Sequence, residues 1–577
     1  MNVNYCKRKN GELFKSLEDF EILNLSNVQN YIPIYKKFFS LNETNYNNIN
    51  LYNKLYITDI FKKDTNTNSY NCMITDTENN TKKENVFFKI AQLLDPYKYL
   101  VGKYDTNDKI IFQLPQLNST EIDTYSKYMD ENNAAYVDSF FVYLINNLMN
   151  THKFSHGLHF YGSFLSIKNN FEINIIDDIE YLHNSSFFQK NKNVLFNIEN
   201  YDFLMLDDPE NEDNGKKHPI VIDYNSNTNE TMTINENVFE DIFVSDPKTD
   251  IEINLEDITN IPFNTETNSL SLKSNSTCSS RSSYTEDDID TNSDNSDTNS
   301  DNSDTNSDNE SDIDTNNLHV NVTIPKFPVH LICMEYCENV FDDLILSKKL
   351  STEEWLSALM QIIMILITYQ KVFHFTHNDL HTNNIMYNKT NKKYIYYCYN
   401  KKYYKVPTFG KIFKIIDFGR SIYKFDGKLF CSDSFKNGED AATQYNTEPY
   451  LNEKKPRLEP NYSFDLCRLA CSIFDYIVDE LDEIKDLNSC NDPIKKLIVE
   501  WCLDDKGINI LYKNNGDDRY PDFKLYKMIA RNVHNHTPQV QLERKEFSNF
   551  CVNLDSIPKD IINIDDIPCY INKLKNN

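Results

Sequence analysis

Apolar residues along this chain switch between two periods. From Lys54 they alternate: Leu55, Ile57 and Ile60, a polar turn from Lys62 to Asn68, then Tyr70, Cys72 and Ile74, then the run Val86-Phe87-Phe88-Lys89-Ile90. Three strands joined by turns are predicted. Ala134 to Asn150 has helical spacing instead, with Val137, Phe140, Phe141, Leu144 and Leu148 on one face. HGLHFYGSFLSI (156–167) predicts another strand, and VHLICMEY after Pro328 a buried one. A long helix follows from Glu353 to Val372, with Trp355, Leu356, Leu359, Ile363 and Leu366 at core spacing. Beyond it come a polar loop, two Tyr-rich strands and a second strong helix from Ser463 to Leu481.

Between these ordered stretches the pattern fails. Residues 168 to 325 contain, in their second half, a seven-residue repeat, TNSDNSD at 291 and 298 and TNSDNES at 305, with no apolar position to form a seam. The expectation is a disordered acidic insertion with a low-complexity tract at 275–317, unable to offset its ordering entropy by burial. Thr291, Thr298 and Thr305 each precede an Asp by three residues, which suits an acid-directed kinase; a solvated spacer expanded by repeat slippage is the plainer reading. Charge follows the same boundary: residues 201–316 hold 29 acidic and 5 basic side chains, so they carry −24 of the formal −28. The rest is nearly neutral, and no nucleic-acid partner is expected. The longest apolar run, Leu356 to Tyr369, includes Gln361 and is too short for a membrane span, so no membrane partner is expected either. Thirteen cysteines without a C-x-x-C pair or leader peptide fit a reducing, intracellular and soluble setting. With 577 residues the chain is long enough for an enzyme of two or three domains. It has only 11 glycines, no two closer than five residues, so a clustered-glycine phosphate loop is absent in its usual form.

The chemistry concentrates in two segments. His377-Asn378-Asp379-Leu380-His381-Thr382-Asn383-Asn384 follows the long helix, and Lys411-Ile412-Phe413-Lys414-Ile415-Ile416-Asp417-Phe418-Gly419 closes an apolar strand. Together they resemble the protein kinase family, whose corresponding motifs read H-R-D-L-K-x-x-N and D-F-G. Phosphoryl transfer needs a carboxylate near the nucleophile and oxygen ligands for Mg²⁺. The resemblance makes Asp379 the catalytic carboxylate and His381 its neighbour in the loop. It makes Asn384 and Asp417 the metal ligands, and it has His377 supporting the loop. It implies Lys89 as the contact to the α and β phosphates, with Asp138, the only carboxylate of helix 134–150, in place of the family's helix Glu. By the same likeness Met334 borders the back pocket, Glu335 and Cys337 offer main-chain groups to adenine, and Asp465 anchors the catalytic loop.

The departures are specific. Asn378 stands where the family has Arg, and His381 where it has Lys, a replacement shared with haspin-like and some small-molecule kinases. An unperturbed His381 carries full charge only below about pH 6.5. Asp379 and Asp417 are 38 residues apart, about twice the usual gap, and a polar hairpin suited to a surface turn fills it. A-P-E is replaced by Thr447-Glu448-Pro449 at best, and Lys62 to Asn68 offers no glycine. The histidines His374, His377 and His381, three and four apart, also admit a metal cluster, though Asp379 and Asn384 fit the kinase loop better. Stretches such as FKIIDFGRSIYKFDGK and EPNYSFDLCRLACSIFDYI look like uncharacterised protein-kinase-like proteins of giant DNA viruses, and a viral origin would imply a host cytoplasm or a virion.

The resemblance implies an α+β fold of two kinase-like lobes. Its parts are an N-terminal extension (1–45), a small antiparallel β N-lobe (46–167), the acidic insertion (168–325), the last N-lobe strand and hinge (326–340), a mainly helical C-lobe (341–540) and a C-terminal tail (541–577). The implied activity is Mg²⁺-dependent transfer from ATP to Ser or Thr of a protein substrate, with the acidic insertion as a candidate partner-binding segment. A pseudokinase scaffold and a small-molecule kinase are the alternatives.

Overall fold

The computed structural model describes residues 1–105, 109–199, 201, 319–484, 487, 490–521, 523–553 and 558–573. The tract 275–317, with Thr291, Thr298 and Thr305, lies outside the described residues, as does most of the expected insertion. The fold is α+β, and its sheets are almost wholly antiparallel.

The main sheet is built from β1 (Leu25–Gln29), β2 (Leu55–Lys63), β3 (Tyr70–Asp76), β4 (Thr81–Gln92), β5 (Phe160–Asn174), β6 (Asn197–Ile198) and β7 (Asn321–Glu335). Its order is β1-β5-β7-β4-β3-β2, with β6 pairing the start of β7. β3 shows why a strand forms: Tyr70, Cys72 and Ile74 alternate inward and are buried. Register places Lys89 opposite Ile332, Phe87 opposite Met334 and Val86 opposite Glu335. The expected boundaries at 167 and 326 fall inside strands. β5 runs on to Asn174 and β7 starts at Asn321, because Phe171, Ile173, Val322 and Ile324 continue the buried alternation. The segment expected as an N-terminal extension supplies β1, an edge strand of the same sheet.

Helix α1 (Ala134–His152) lies against β5 and β7 and is buried on nearly every side. Asn133 caps its start by accepting from the Ala135 N–H. Helix α2 (Thr352–Phe373) carries a full capping box, Ser351 with Glu354. At 22 residues and mean hydropathy 1.6 it is long and apolar enough to cross a membrane, which corrects the shorter apolar run expected there. Its apolar window is 89% buried within the protein, as in the core helix of a globular domain. Phe141 of α1 and Tyr369 and Phe373 of α2 join Phe375 and Phe418 in one aromatic cluster. The core therefore reaches the two chemical motifs directly.

Strands β8 (Ile385–Lys389), β9 (Tyr394–Tyr399), β10 (Lys402–Pro407) and β11 (Lys411–Ile415) fill the stretch between Asp379 and Asp417. The hairpin β9–β10 is more than a lengthened surface turn. Ile395, Tyr397, Tyr404 and Val406 form a buried face. Two pieces of the expected tail, β14 (Cys551–Val552) and β15 (Ile562–Asn563), complete its sheet; β15 pairs in parallel with β9. Strands β12 (Ile422–Phe425) and β13 (Lys428–Cys431) follow the D-F-G motif, and helices α3 (Phe464–Ile477), α4 (Pro493–Trp501) and α5 (Lys524–Asn532) pack beyond them.

Candidate active site

The sheet presents Lys89 inward at 6% exposure, where its ammonium must find charge partners. It finds two: Asp138 Oδ2 of α1 at 2.7 Å and Asp417 Oδ1 at 3.0 Å. Burial alone would lower the Lys89 pKa, but the two carboxylates raise it above its ordinary value, so Lys89 stays charged. Asp138 Oδ1 also accepts the Phe418 N–H at 2.9 Å. One short acid thus ties the β4 lysine, helix α1 and the D-F-G backbone together.

The 377–384 loop hangs from helix α3. Asp465, buried at the start of that helix, accepts the His377 and Asn378 N–H groups, each at 2.9 Å. His377 Nε2 lies 2.9 Å from the Ile416 carbonyl, and its Nδ1 lies 3.3 Å from the Asp379 N–H. A carbonyl only accepts and an N–H only donates, which fixes the Nε2-protonated tautomer. Asn378 adopts φ of +65°, a conformation Asn tolerates better than the family's Arg. Its side chain donates to the Arg420 carbonyl and accepts from the Tyr445 hydroxyl.

Asp379 is 2% exposed. Its Oδ1 accepts from the Tyr526 hydroxyl at 2.7 Å, and its Oδ2 lies 3.9 Å from Arg420 Nε. Burial would raise the Asp379 pKa, but Arg420, His381, Arg468 and the Tyr526 bond outweigh it and hold the carboxyl below its usual value. Asn384 Nδ2 donates to the Asp379 carbonyl and to His381 Nε2, both at 3.0 Å. The His381 proton therefore sits on Nδ1, a buried atom with no hydrogen-bond partner. Burial, with Arg468 and His377 adding to it, pulls the His381 pKa down to about 4. The charge expected to appear below pH 6.5 is thus withheld until about pH 4. His381 is a neutral N–H donor.

Met334 and Glu335 end β7, and Cys337 follows two residues later. Met334 and Cys337 are buried, and burial pushes the Cys337 thiol up to about 12. The Glu335 side chain turns to Lys414 of β11, whose ammonium donates to both carboxylate oxygens at 2.9 Å and to the Gly157 carbonyl at 2.7 Å. The glycine-free β2–β3 turn is tied to the residue after β7 by a hydrogen bond between Thr67 and the Tyr336 phenol.

The segment after D-F-G is fastened without any phosphate. Asp433 Oδ1 accepts the Ala134 N–H at the start of α1 at 2.9 Å, and its Oδ2 pairs with Lys127 at 3.2 Å. Arg420 pairs with Asp440 further along the same segment. The three histidines do not come together: His374 ends α2 in a left-handed turn and is exposed, whereas His377 and His381 are buried with separate partners. Among the described residues no group of three or more His, Cys, Asp or Glu is placed to hold a metal ion.

Sequence comparison gives a partial likeness. The chain is 39% identical over 79 residues to the serine/threonine-protein kinase haspin of Mus musculus, and 38% identical over 79 residues to that of Bos taurus. Each match covers 14% of this chain and 10% of the haspin chain. No family model matches. The relation shown is protein-kinase-like and short.

Sequence reasoning missed Lys414, Arg420, Asp433, Arg468 and Tyr526. Two of them left a signal. Lys414 interrupts an apolar strand between Phe413 and Ile415, as Lys89 does in its own strand. Arg468 stands three residues after Asp465 and so shares its helix face. Tyr526 left none: it reaches Asp379 from 147 residues away.

Proposed function

We propose that the protein is a two-lobed, protein-kinase-like phosphotransferase that moves the γ-phosphoryl group of ATP, with Mg²⁺, to a Ser or Thr hydroxyl of a protein substrate. The observation that most supports this is the Lys89–Asp138–Asp417 ion-pair cluster beside a loop that holds Asp379 and Asn384 in register. The partial likeness to haspin points the same way.

The donor set suits Mg²⁺, a hard cation that takes oxygen ligands and shares them with substrate phosphates. Asn384 uses its amide N–H groups on Asp379 and His381, which leaves its Oδ1 for a cation; Asp417 supplies a carboxylate. Mg-ATP, when bound, supplies the phosphoryl group and neutralises its oxygens. Lys89, kept charged by its two acids, orients the α and β phosphates. His381 Nδ1–H has no other partner and faces the same work as a neutral donor. Asp379 orients the acceptor hydroxyl and takes its proton. The acidic insertion is proposed as a partner-binding segment, and the kinship with giant-virus kinase-like proteins rests on the motif stretches.

Purified protein with γ-labelled Mg-ATP and a mixed protein extract should transfer label, and Asp379→Asn and Asp417→Ala should abolish it. Equal transfer by wild type and both variants overturns the enzyme reading. A nucleotide-binding scaffold is the second reading, favoured by the β2–β3 turn, which has no glycine for close phosphate approach.

A further inference from the structure

Asp379 is held on one side only. Its Oδ1 accepts the Tyr526 hydroxyl at 2.7 Å, while its Oδ2 is buried and accepts no hydrogen bond, with Arg420 Nε 3.9 Å away. Tyr526 is itself 1% exposed and is fixed by three neighbours. Phe523, the N-cap of the same helix, stacks on its ring at 4.9 Å, and the Arg420 and Arg468 guanidinium groups lie 5.6 and 5.1 Å from the ring centre. Helix α5 packs on α3, the helix that carries both Arg468 and the loop anchor Asp465. The phenol and the carboxylate are therefore fastened to one pair of helices.

A general base must offer a single oxygen in a fixed direction. A carboxylate on a rotatable bond does not do so unless its other oxygen is tied. We propose that Tyr526 is a positioning residue for phosphotransfer: its hydroxyl ties Asp379 Oδ1 and leaves Oδ2, the oxygen without a partner, to receive the acceptor hydroxyl of the substrate. This rests on the phosphotransfer reading above. It assigns the job of steering the base to a helix about 150 residues beyond the motif, where the family's loop Lys and Arg are replaced by His381 and Asn378.

The experiment uses the full chain with γ-labelled Mg-ATP and a degenerate Ser/Thr peptide library. Tyr526→Phe removes only the hydroxyl and is expected to lower kcat about tenfold to a hundredfold, the scale on which a misplaced catalytic group is felt. Its KM for ATP should stay at the wild-type value, and its melting, though lowered by the lost bond to a buried carboxylate, should remain a single cooperative transition well above the assay temperature. Tyr512→Phe is the matched control: it deletes another tyrosine–carboxylate bond, 2.8 Å to Asp475, away from the site, and should leave kcat unchanged. Tyr526→His, which keeps a ring N–H donor, should restore part of the loss. An active wild type whose Tyr526→Phe variant keeps or gains kcat overturns this assignment alone; a gain would make Tyr526 a plug in the acceptor position. An inactive wild type overturns the phosphotransfer reading and, with it, this one.

Discussion

The Lys414–Glu335 pair offers a direct test of how the end of β7 is held. Lys414→Met keeps the side-chain length and removes the charge. The change leaves the Gly157 carbonyl without its donor and reduces the partners of Glu335 to the Asn388 amide at 2.7 Å and the His159 N–H at 3.1 Å. Breaking a buried pair by removing one partner costs about 3–5 kcal/mol. The Lys414 side chain is 6% exposed but that of Glu335 is 17%, and water together with the two remaining donors relieves part of the cost, which brings it to about 2–4 kcal/mol. Urea unfolding at pH 7.5 measures it, as a lower midpoint at unchanged slope. Adding Glu335→Gln removes the stranded charge, so the double variant should be more stable than Lys414→Met alone. The pH dependence has a definite sign. Burial pushes the Glu335 pKa up, but Lys414 and His159 outweigh it and hold it below 4.5. Its stabilisation is then present above pH 4.5 and is lost as the pH falls through the folded value, and this part of the profile should vanish in Lys414→Met. A Lys414→Met variant within about 1 kcal/mol of wild type, or a double variant that costs the sum of the two single changes, would refute the reasoning.

Three further outcomes are expected. Asp433→Ala frees the Ala134 N–H and leaves Lys127 with Glu439 as its remaining acid partner, so amide exchange at the first turn of α1 should quicken by the equivalent of about 1.5–3 kcal/mol; unchanged exchange there would show that Asp433 does not fasten the segment. Asp138→Asn leaves Lys89 with Asp417 alone among its acids, and thermal-shift titration should find Mg-ATP binding about tenfold to a hundredfold weaker; wild-type affinity would remove Asp138 from the site. Burial pulls His156 down to about 4, and its ring is held neutral between the Phe413 carbonyl and the Tyr397 hydroxyl, each at 2.7 Å. The unfolded chain takes up this proton first. Stability is therefore full above about pH 6.5 and falls towards pH 4, by about 1.4 kcal/mol per pH unit for this group, and His156→Gln should flatten the slope measured by urea midpoints.

What was legible in the sequence follows sequence distance. The loop 377–384 and Asp417-Phe418-Gly419 are local strings whose order is visible, and helices α1 and α2 announce themselves by spacing. Lys89 was visible because a charge in an apolar strand demands a partner. Its partner Asp138 was singled out only because the helix has no other carboxylate; periodicity does not show whether a residue on a helix buried all round faces a lysine or solvent. The groups around Asp379 are different. Tyr526, Arg468 and Arg420 lie on separate elements and meet only when α3 and α5 pack, so no window of the chain contains the arrangement. Tyr-rich β9–β10 reads as a solvent turn because the strands that pair with its two outer edges, β14 and β15, come over 140 residues later. The charge of His381 is hidden from the sequence for a related reason: burial, opposed by Asp379 and aided by Arg468, decides it, and all three are products of packing.

The pairing of Asn197 with Thr323 and of Ile198 with Val322 bears on how this chain can vary. Both ends of the stretch between them are already held in register by neighbouring strands, so the sheet makes no demand on the number of residues that join them. Gain or loss of copies of the heptad TNSDNSD should therefore leave the pairing of the sheet that carries Lys89 and the end of β7 unchanged. Related chains should accordingly differ in length at this point far more than at any other inside the main sheet, and a foreign domain grafted within 202–318, which keeps the buried Tyr201 and Val320 and the Glu199–Asn321 bonds, should leave the melting profile of the rest intact.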